Sequence, residues 1–292
     1  MPRFNKKSSR EIFFSCWLIL GFIILSCAAQ GEVRSFNWGT PKTGFVRSKI
    51  SENGGNSVIL YKMSVKKIDS EHIEIVFSDA SFETEEGSRP IDAVRVLPSL
   101  IIDKVGRYRG LRNVGLANES LLEKMPVDIE SKDRENWKRK LKDPNVLKSM
   151  NQRFEGIWNT WVGSWNGLSV DQKRGFETGN RMSVDLDGRV LDYEYLGLQK
   201  NVCARCVKLR CESSLSPQEA SATVRHSLSE VQGKDRIILE EAGSSTLIEV
   251  VTDLESLLPY YAKTFTHVML KMQDMNVIHR EVTQEYWFDW RE

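Results

Sequence analysis

At 292 residues the chain is long enough to bury a sizeable core, as one large domain or two small ones. Its 41 Lys and Arg stand against 40 Asp and Glu, a net charge of +1, without the basic excess that a nucleic-acid surface needs. A hydrophobic share of 40% with eight tryptophans excludes an unstructured polar tail.

The N-terminus comes first. Arg3, Lys6, Lys7 and Arg10 make a basic start, and Ile12 to Leu25 is an uncharged run interrupted by Ser15, Cys16 and Gly21. Small residues follow, which is the layout of a secretion signal. Within it, Ile24-Leu25-Ser26-Cys27 resembles the bacterial lipobox, whose cysteine is diacylated and then exposed by cleavage. The resemblance implies a signal peptide over residues 1–27 and a chain tethered to the membrane through Cys27. Cleavage after Ala28 and an uncleaved anchor are the alternatives, although the apolar run is short for a full span. Without residues 1–26 the balance is 37 basic against 39 acidic groups.

The next stretch, 28–112, reads as half of a sheet. "SVILYKMSVKKI" and "HIEIVFSDASF" carry β-branched and aromatic residues at strand density around a turn at 69–71, so an antiparallel hairpin is expected. "ENGGN" at 52–56 reads as a hairpin end. "LIIDKVGRYRGL" at 100–111 shares a pattern with "MSVDLDGRVLDYEYLGL" at 182–198: Asp103, Gly106 and Arg107 in one, Asp185, Gly188 and Arg189 in the other. Both read as strand-turn-strand units, by internal duplication or by convergent hairpin chemistry.

Residues 113–166 form a helical insert. Asp143 can cap and Pro144 suits the first helical position. Leu147, Met150, Phe154, Ile157, Trp158, Trp161 and Trp165 then follow as one apolar stripe. Trp158, Trp161 and Trp165 either pack the helix onto the sheet or line a ligand groove, since an indole offers a large apolar face and one donor. The charged segment at 131–142 reads as a solvated helix.

The second sheet half, 167–292, contains a helix over 217–231, opened by Ser216, Pro217 and Glu219 as a proline-reinforced capping box. Strands resume at Arg236 and end in a long hairpin, "AKTFTHVMLKM" with "VIHREVTQEYWFDW", turning near Gln273 to Asn276. On its last strand Ile278, Val282, Tyr286, Phe288 and Trp290 share one parity and His279, Glu281, Thr283 and Glu285 the other. That alternation predicts one buried and one wet face.

"VVTDLESLLPYYAKTFTHVML" at 250–270 resembles bacterial envelope proteins of the lipoprotein-carrier type, in which a strand ends in Asp and a short turn leads through Leu-Pro into the next strand. Asp253, Leu258 and Pro259 hold those positions. The resemblance implies an α+β fold: a large curved antiparallel sheet, an incomplete barrel, with amphipathic helices on its concave face, spanning 28–292 as a single domain.

Chemistry-bearing residues are sparse. Cys203, Cys206 and Cys211 fit a structural disulfide in an oxidising compartment better than a zinc or redox site. Cys203 with Cys206 is the first choice and Cys203 with Cys211 the second. His72, His226, His267 and His279 are scattered. His267 and His279 face each other across the last hairpin and with Glu281 suggest a metal pair, but their parity favours a solvated strand, so no metal site is expected. Glu240, Glu241, Asp92 and Asp253 make a hydrolase dyad only if brought together. No nucleophile elbow, phosphate loop or zinc helix is present. The expectation is therefore a non-enzymatic protein without cofactor: an exported lipoprotein of the bacterial cell envelope, holding a lipid or other apolar ligand. The alternatives are a structural or interaction component without a ligand cavity and, for location, a soluble secreted or periplasmic protein.

If the lipobox-like tetrad is used, Cys27→Ala releases the protein from detergent-extractable membranes. Mass spectrometry of the wild-type N-terminus checks this, and a mature chain beginning at Ala29 or later contradicts it.

Overall fold

The computed structural model describes residues 31–33, 36–39, 41–52, 54–84, 87–91, 97–123, 131–171, 179, 181–186, 189–222, 239–273 and 276–291. Cys27 and the leader lie outside them.

The chain enters through β1 (Gly31–Val33), which pairs with the later β8 (Ser169–Asp171) as a separate two-stranded ribbon. It then lays down β2 (Lys42–Glu52), β3 (Gly55–Lys67), β4 (His72–Thr84), β5 (Gly87–Pro90), β6 (Ser99–Asp103) and β7 (Tyr108–Arg112). Helices α1 (Val114–Glu123), α2 (Ser131–Leu141) and α3 (Pro144–Trp158) follow. The second series is β9 (Arg181–Leu186), β10 (Arg189–Leu198), β11 (Cys206–Leu215), β12 (Leu239–Asp253), β13 (Pro259–Met272) and β14 (Ile278–Arg291). Twelve strands form one antiparallel sheet in the order β7-β6-β4-β3-β2-β14-β13-β12-β11-β10-β9, with β5 paired to β4. β7 and β9 are its two edges, so the sheet is not closed into a barrel. The chain is therefore two meanders joined where the first long strand meets the last, with Val282 opposite Glu52 and Arg291 opposite Thr43.

The expected hairpins are present. Asp69 caps the β3-β4 turn by accepting from the Glu71 and His72 amides, and Gly54 turns β2 into β3 at a φ of 83°. The two units with the shared Asp-Gly-Arg pattern, β6-β7 and β9-β10, occupy opposite edges of the sheet. In the first, Asp103 accepts from the Val105 and Arg107 amides and pairs with Arg109. Gly106 sits there at a φ of 83°, where an added Cβ would collide with the ring of Phe36. Asp187-Gly188 of the second unit lies outside the described residues.

The helical insert covers one end of the concave face. Asp143 accepts from the Asn145 amide and Pro144 opens α3, as the spacing predicts. Past Trp158 the helix widens into a π-turn, Asn159–Gly163, closed by Ser164 N–H donating to the Asn159 carbonyl at 3.0 Å. Gly163 makes room there for Asn159's carboxamide, which occupies the space of a Cβ. Trp158, Trp161 and Trp165 are 0%, 1% and 0% exposed, so the end of the stripe is as well packed as its middle. Under them lie Val46, Met63, Val65, Ile75, Phe77, Leu100, Ile102, Ile248, Val250, Tyr286 and Phe288 from both meanders. On β14 the even-numbered residues Tyr286 and Phe288 are the buried ones, which is the expected parity. The capping box is formed: Glu219 accepts from the Ser216 amide and hydroxyl, and the Glu219 amide donates to Ser216 Oγ. Residues 217–222 are helical, and the remainder of the expected helix to 231 lies outside the described residues. No described helix is long and apolar enough to cross a membrane.

Replacing Trp158, Trp161 or Trp165 by Ala deletes a fully buried indole, so each change is expected to cost about 3–5 kcal/mol in lost transfer energy and residual cavity. Chemical denaturation of the three single variants checks this, and unchanged midpoints would contradict the core assignment.

Candidate functional site

Register divides the concave face into a covered and an open half. The covered half is aromatic. Trp161 meets Phe77 of the first meander at 6.3 Å and Tyr286 and Phe288 of the second at 5.2 and 5.1 Å, all edge to face. Trp158 meets Phe36 and Trp38, Trp38 meets Trp290, and Trp165 meets Tyr193.

Indole nitrogens in such a core need acceptors. Trp158 donates to the Gly106 carbonyl at 2.9 Å, Trp165 to Thr160 at 3.1 Å, Trp38 to Leu257 at 3.2 Å and Trp290 to Pro259 at 2.6 Å. Among the described residues Trp161 Nε1 is buried without a partner, as are the Tyr286 hydroxyl and the hydroxyls of Ser164 and Thr252.

The open half lies beyond Tyr286. The long strands continue past the π-turn, and the same parity there carries Ile50 on β2, Ile59 on β3, Val282 on β14 and Val268 on β13, all only partly buried. Ile59 is directly opposite Phe82 of β4, past a register shift between Leu60 and Lys62, and Phe82 is 43% exposed. Small and polar neighbours lie between: Ser48 opposite Tyr286, Gln284 opposite Ile50, and Thr264, whose hydroxyl meets Thr160 at 3.0 Å. Sequence reasoning singled out the helical tryptophans and did not single out Tyr286, Ile59 and Phe82, which border the partly covered half. Parity on β14 was the available signal.

The convex face mixes ion pairs with apolar side chains, Phe45, Leu60, Leu247, Phe265 and Trp287 among them. Arg210 and Lys208 on β11 bracket Glu249 on β12, with contacts of 2.8 and 3.0 Å, and Arg210 reaches Glu194 on β10 at 3.4 Å. Burial works against the charge on Glu249, but the two cations hold its carboxyl below the ordinary range. Tyr261 donates to Glu285 at 2.8 Å.

Cys203 and Cys206 form a disulfide across a tight turn. Cys211 is free and buried on the concave face beside Tyr193, and burial pushes its thiol up to about 12. His267 and His279 do approach, with Nε2 and Nδ1 3.1 Å apart, on the exposed face. Among the described residues no three His, Cys, Asp or Glu converge as metal ligands. His72 pairs with Asp69, while His226 and Asp92 lie outside the described residues. Asp253 is not near Glu240: it closes the β12-β13 turn by accepting from the Glu255 and Ser256 amides, and Glu240 pairs with Lys271. The Asp253, Leu258 and Pro259 pattern is thus a turn device, with the Asp253 amide donating to the Leu258 carbonyl at 2.9 Å.

No family model matches the sequence, and no curated protein matches it. Among solved structures, one on lipid-protein interactions in lipovitellin is similar over 87% of this chain and 25% of that chain, at 9% identity and a TM-score of 0.42. The chain thus spans a quarter of the length of the lipovitellin chain. A second, described as an outer membrane lipoprotein-sorting protein domain from Vibrio parahaemolyticus, is similar over 88% of this chain and 87% of that one, at 7% identity and a TM-score of 0.22.

Alkylation of the unfolded, unreduced protein is expected to find one free thiol among Cys203, Cys206 and Cys211. In the folded protein that thiol, Cys211, should react slowly at neutral pH because it is buried and protonated. Three reactive thiols in the unfolded, unreduced chain would contradict the pairing.

Proposed function

We propose that this is an exported protein of the bacterial cell envelope, tethered through an acylated Cys27, that holds a lipid or other apolar ligand against the open half of its sheet and performs no chemistry on it. The supporting observation is the division of the concave face. The helix fills one half with Trp158, Trp161 and Trp165, while the other keeps Ile50, Ile59, Phe82, Val268 and Val282 on the same side of the same strands, only partly covered. The same register sets Gln284, Thr264 and the Glu52–Arg280 ion pair among them, and an apolar surface with a small number of placed polar groups is the usual form of a small-molecule site. In this reading the three tryptophans act as the floor on which the site rests, and only Trp161 borders it.

The filled half favours a second reading, an interaction component of the envelope whose interior serves packing alone. The two readings differ in one experiment. Native mass spectrometry of the full protein from its own membrane should show Cys27 acylated and an acyl lipid retained. Phe82→Glu should weaken binding of a fluorescent fatty acid while shifting the denaturation midpoint little, since exposed positions usually stay within about 0.5 kcal/mol. No retained lipid and no probe binding would support the packing reading.

A further inference from the structure

Two donors without a partner among the described residues belong to rings that pack together at the boundary between the covered and open halves. Trp161 and Tyr286 are 1% and 2% exposed, their rings pack edge to face at 5.2 Å, and among the described residues neither Trp161 Nε1 nor the Tyr286 hydroxyl has a hydrogen-bond partner. Leaving such groups unpaired in a core destabilises the fold, and native interiors rarely tolerate it without a reason. Here the other core indoles, Trp38, Trp158, Trp165 and Trp290, are all satisfied by backbone carbonyls. The exception falls where the helix departs from regular geometry: Trp161 belongs to the π-turn Asn159–Gly163, and such turns recur at functional positions. It also falls at the inner end of the open half, because Tyr286 stands beside Ser48 on β2 and Ala262 on β13, and Gln284 and Val282 follow it along β14.

Resting on the apolar-ligand reading above, we infer that Trp161 Nε1 and Tyr286 OH form the polar end of the site and donate to the head of an acyl chain, its carbonyl or carboxyl group. The chemistry requires an acceptor, because an indole N–H can only donate and a phenol remains a donor while protonated. Burial raises the Tyr286 phenol well above its ordinary value, as does the nearby Tyr61, with Arg153 acting in the opposite sense, so Tyr286 keeps its proton at neutral pH. The chain of the ligand then lies along Val282, Ile50, Ile59 and Phe82, away from the helix.

The test uses the full chain and three fluorescent probes with the same tail: a free fatty acid, its methyl ester and a plain hydrocarbon. Tyr286→Phe keeps the ring and removes the hydroxyl. It should weaken the acid and the ester by about five- to tenfold, the worth of one hydrogen bond, and leave the hydrocarbon unchanged. In ligand-free protein the same change should leave Tm unchanged or raise it, because it removes an orphaned group. Loss restricted to the acid would identify a free carboxylate as the ligand head, and loss on both would identify a carbonyl oxygen common to acid and ester. Equal affinities of parent and variant for all three probes would overturn the inference while leaving the apolar site standing. A lower Tm for ligand-free Tyr286→Phe would also overturn it, since the hydroxyl would then have a partner within the fold. Failure of every probe to bind the parent would overturn the site and the inference together.

Discussion

The fold depends on the pairing of its first long strand with its last. β2 and β14 run antiparallel along the middle of the sheet, and each is the end of its own meander. Neither meander is a complete layer by itself, because a curved sheet must bury one face against something. The aromatic cluster supplies that something for both at once: Trp161 lies against Phe77 from one side of the junction and Tyr286 and Phe288 from the other, while Trp38 touches Trp158 and Trp290. Closing the β2-β14 ladder spans most of the chain, an ordering cost that only a large non-local burial can offset.

That burial has a geometric limit, and the open half follows from it. The described part of α3 and its π-turn covers the strands from β7 toward β12 and β13, whereas β3, β12, β13 and β14 are 13 to 15 residues long. Strands of that length outrun the helix at about 3.3 Å per residue. The side chains past its end keep the inward parity of the core, but they are more polar: Thr266, Gln284 and the paired Glu52 and Arg280 alternate with Ile50, Ile59 and Val282. A surface of that composition is neither a dry core nor a solvated face. On its convex counterpart Arg210, Lys208, Glu249 and Glu194 are tied across three strands.

Turns are set by a repeated device. Asp69, Asp103 and Asp253 each stand at a strand end and accept backbone amides two to four residues ahead. Short acidic side chains suit this work because they reach the backbone that the turn leaves unpaired. It accounts for aspartates that a search for carboxylate dyads would otherwise collect, and it places the resemblance at 250–270 in the architecture of a turn.

Periodicity and capping are local properties, and the sequence determined them by itself: the β3-β4 hairpin, the start of α3 at Pro144, the Ser216 capping box and the buried parity of β14 depend on residues a few positions apart. The separation of Cys203 and Cys206 likewise allowed a bridge, though it did not exclude Cys211. What the tertiary structure decided is non-local. No window of sequence shows that β14 pairs with β2, that the two Asp-Gly-Arg units become opposite edges of one sheet, or that Tyr286 is brought beneath Trp161, 125 positions away in the chain numbering. The stripe of Trp158, Trp161 and Trp165 could be read as core or groove from spacing alone. The fold decided for burial because two meanders converge on that helix, and it left the strands that extend beyond it only partly covered.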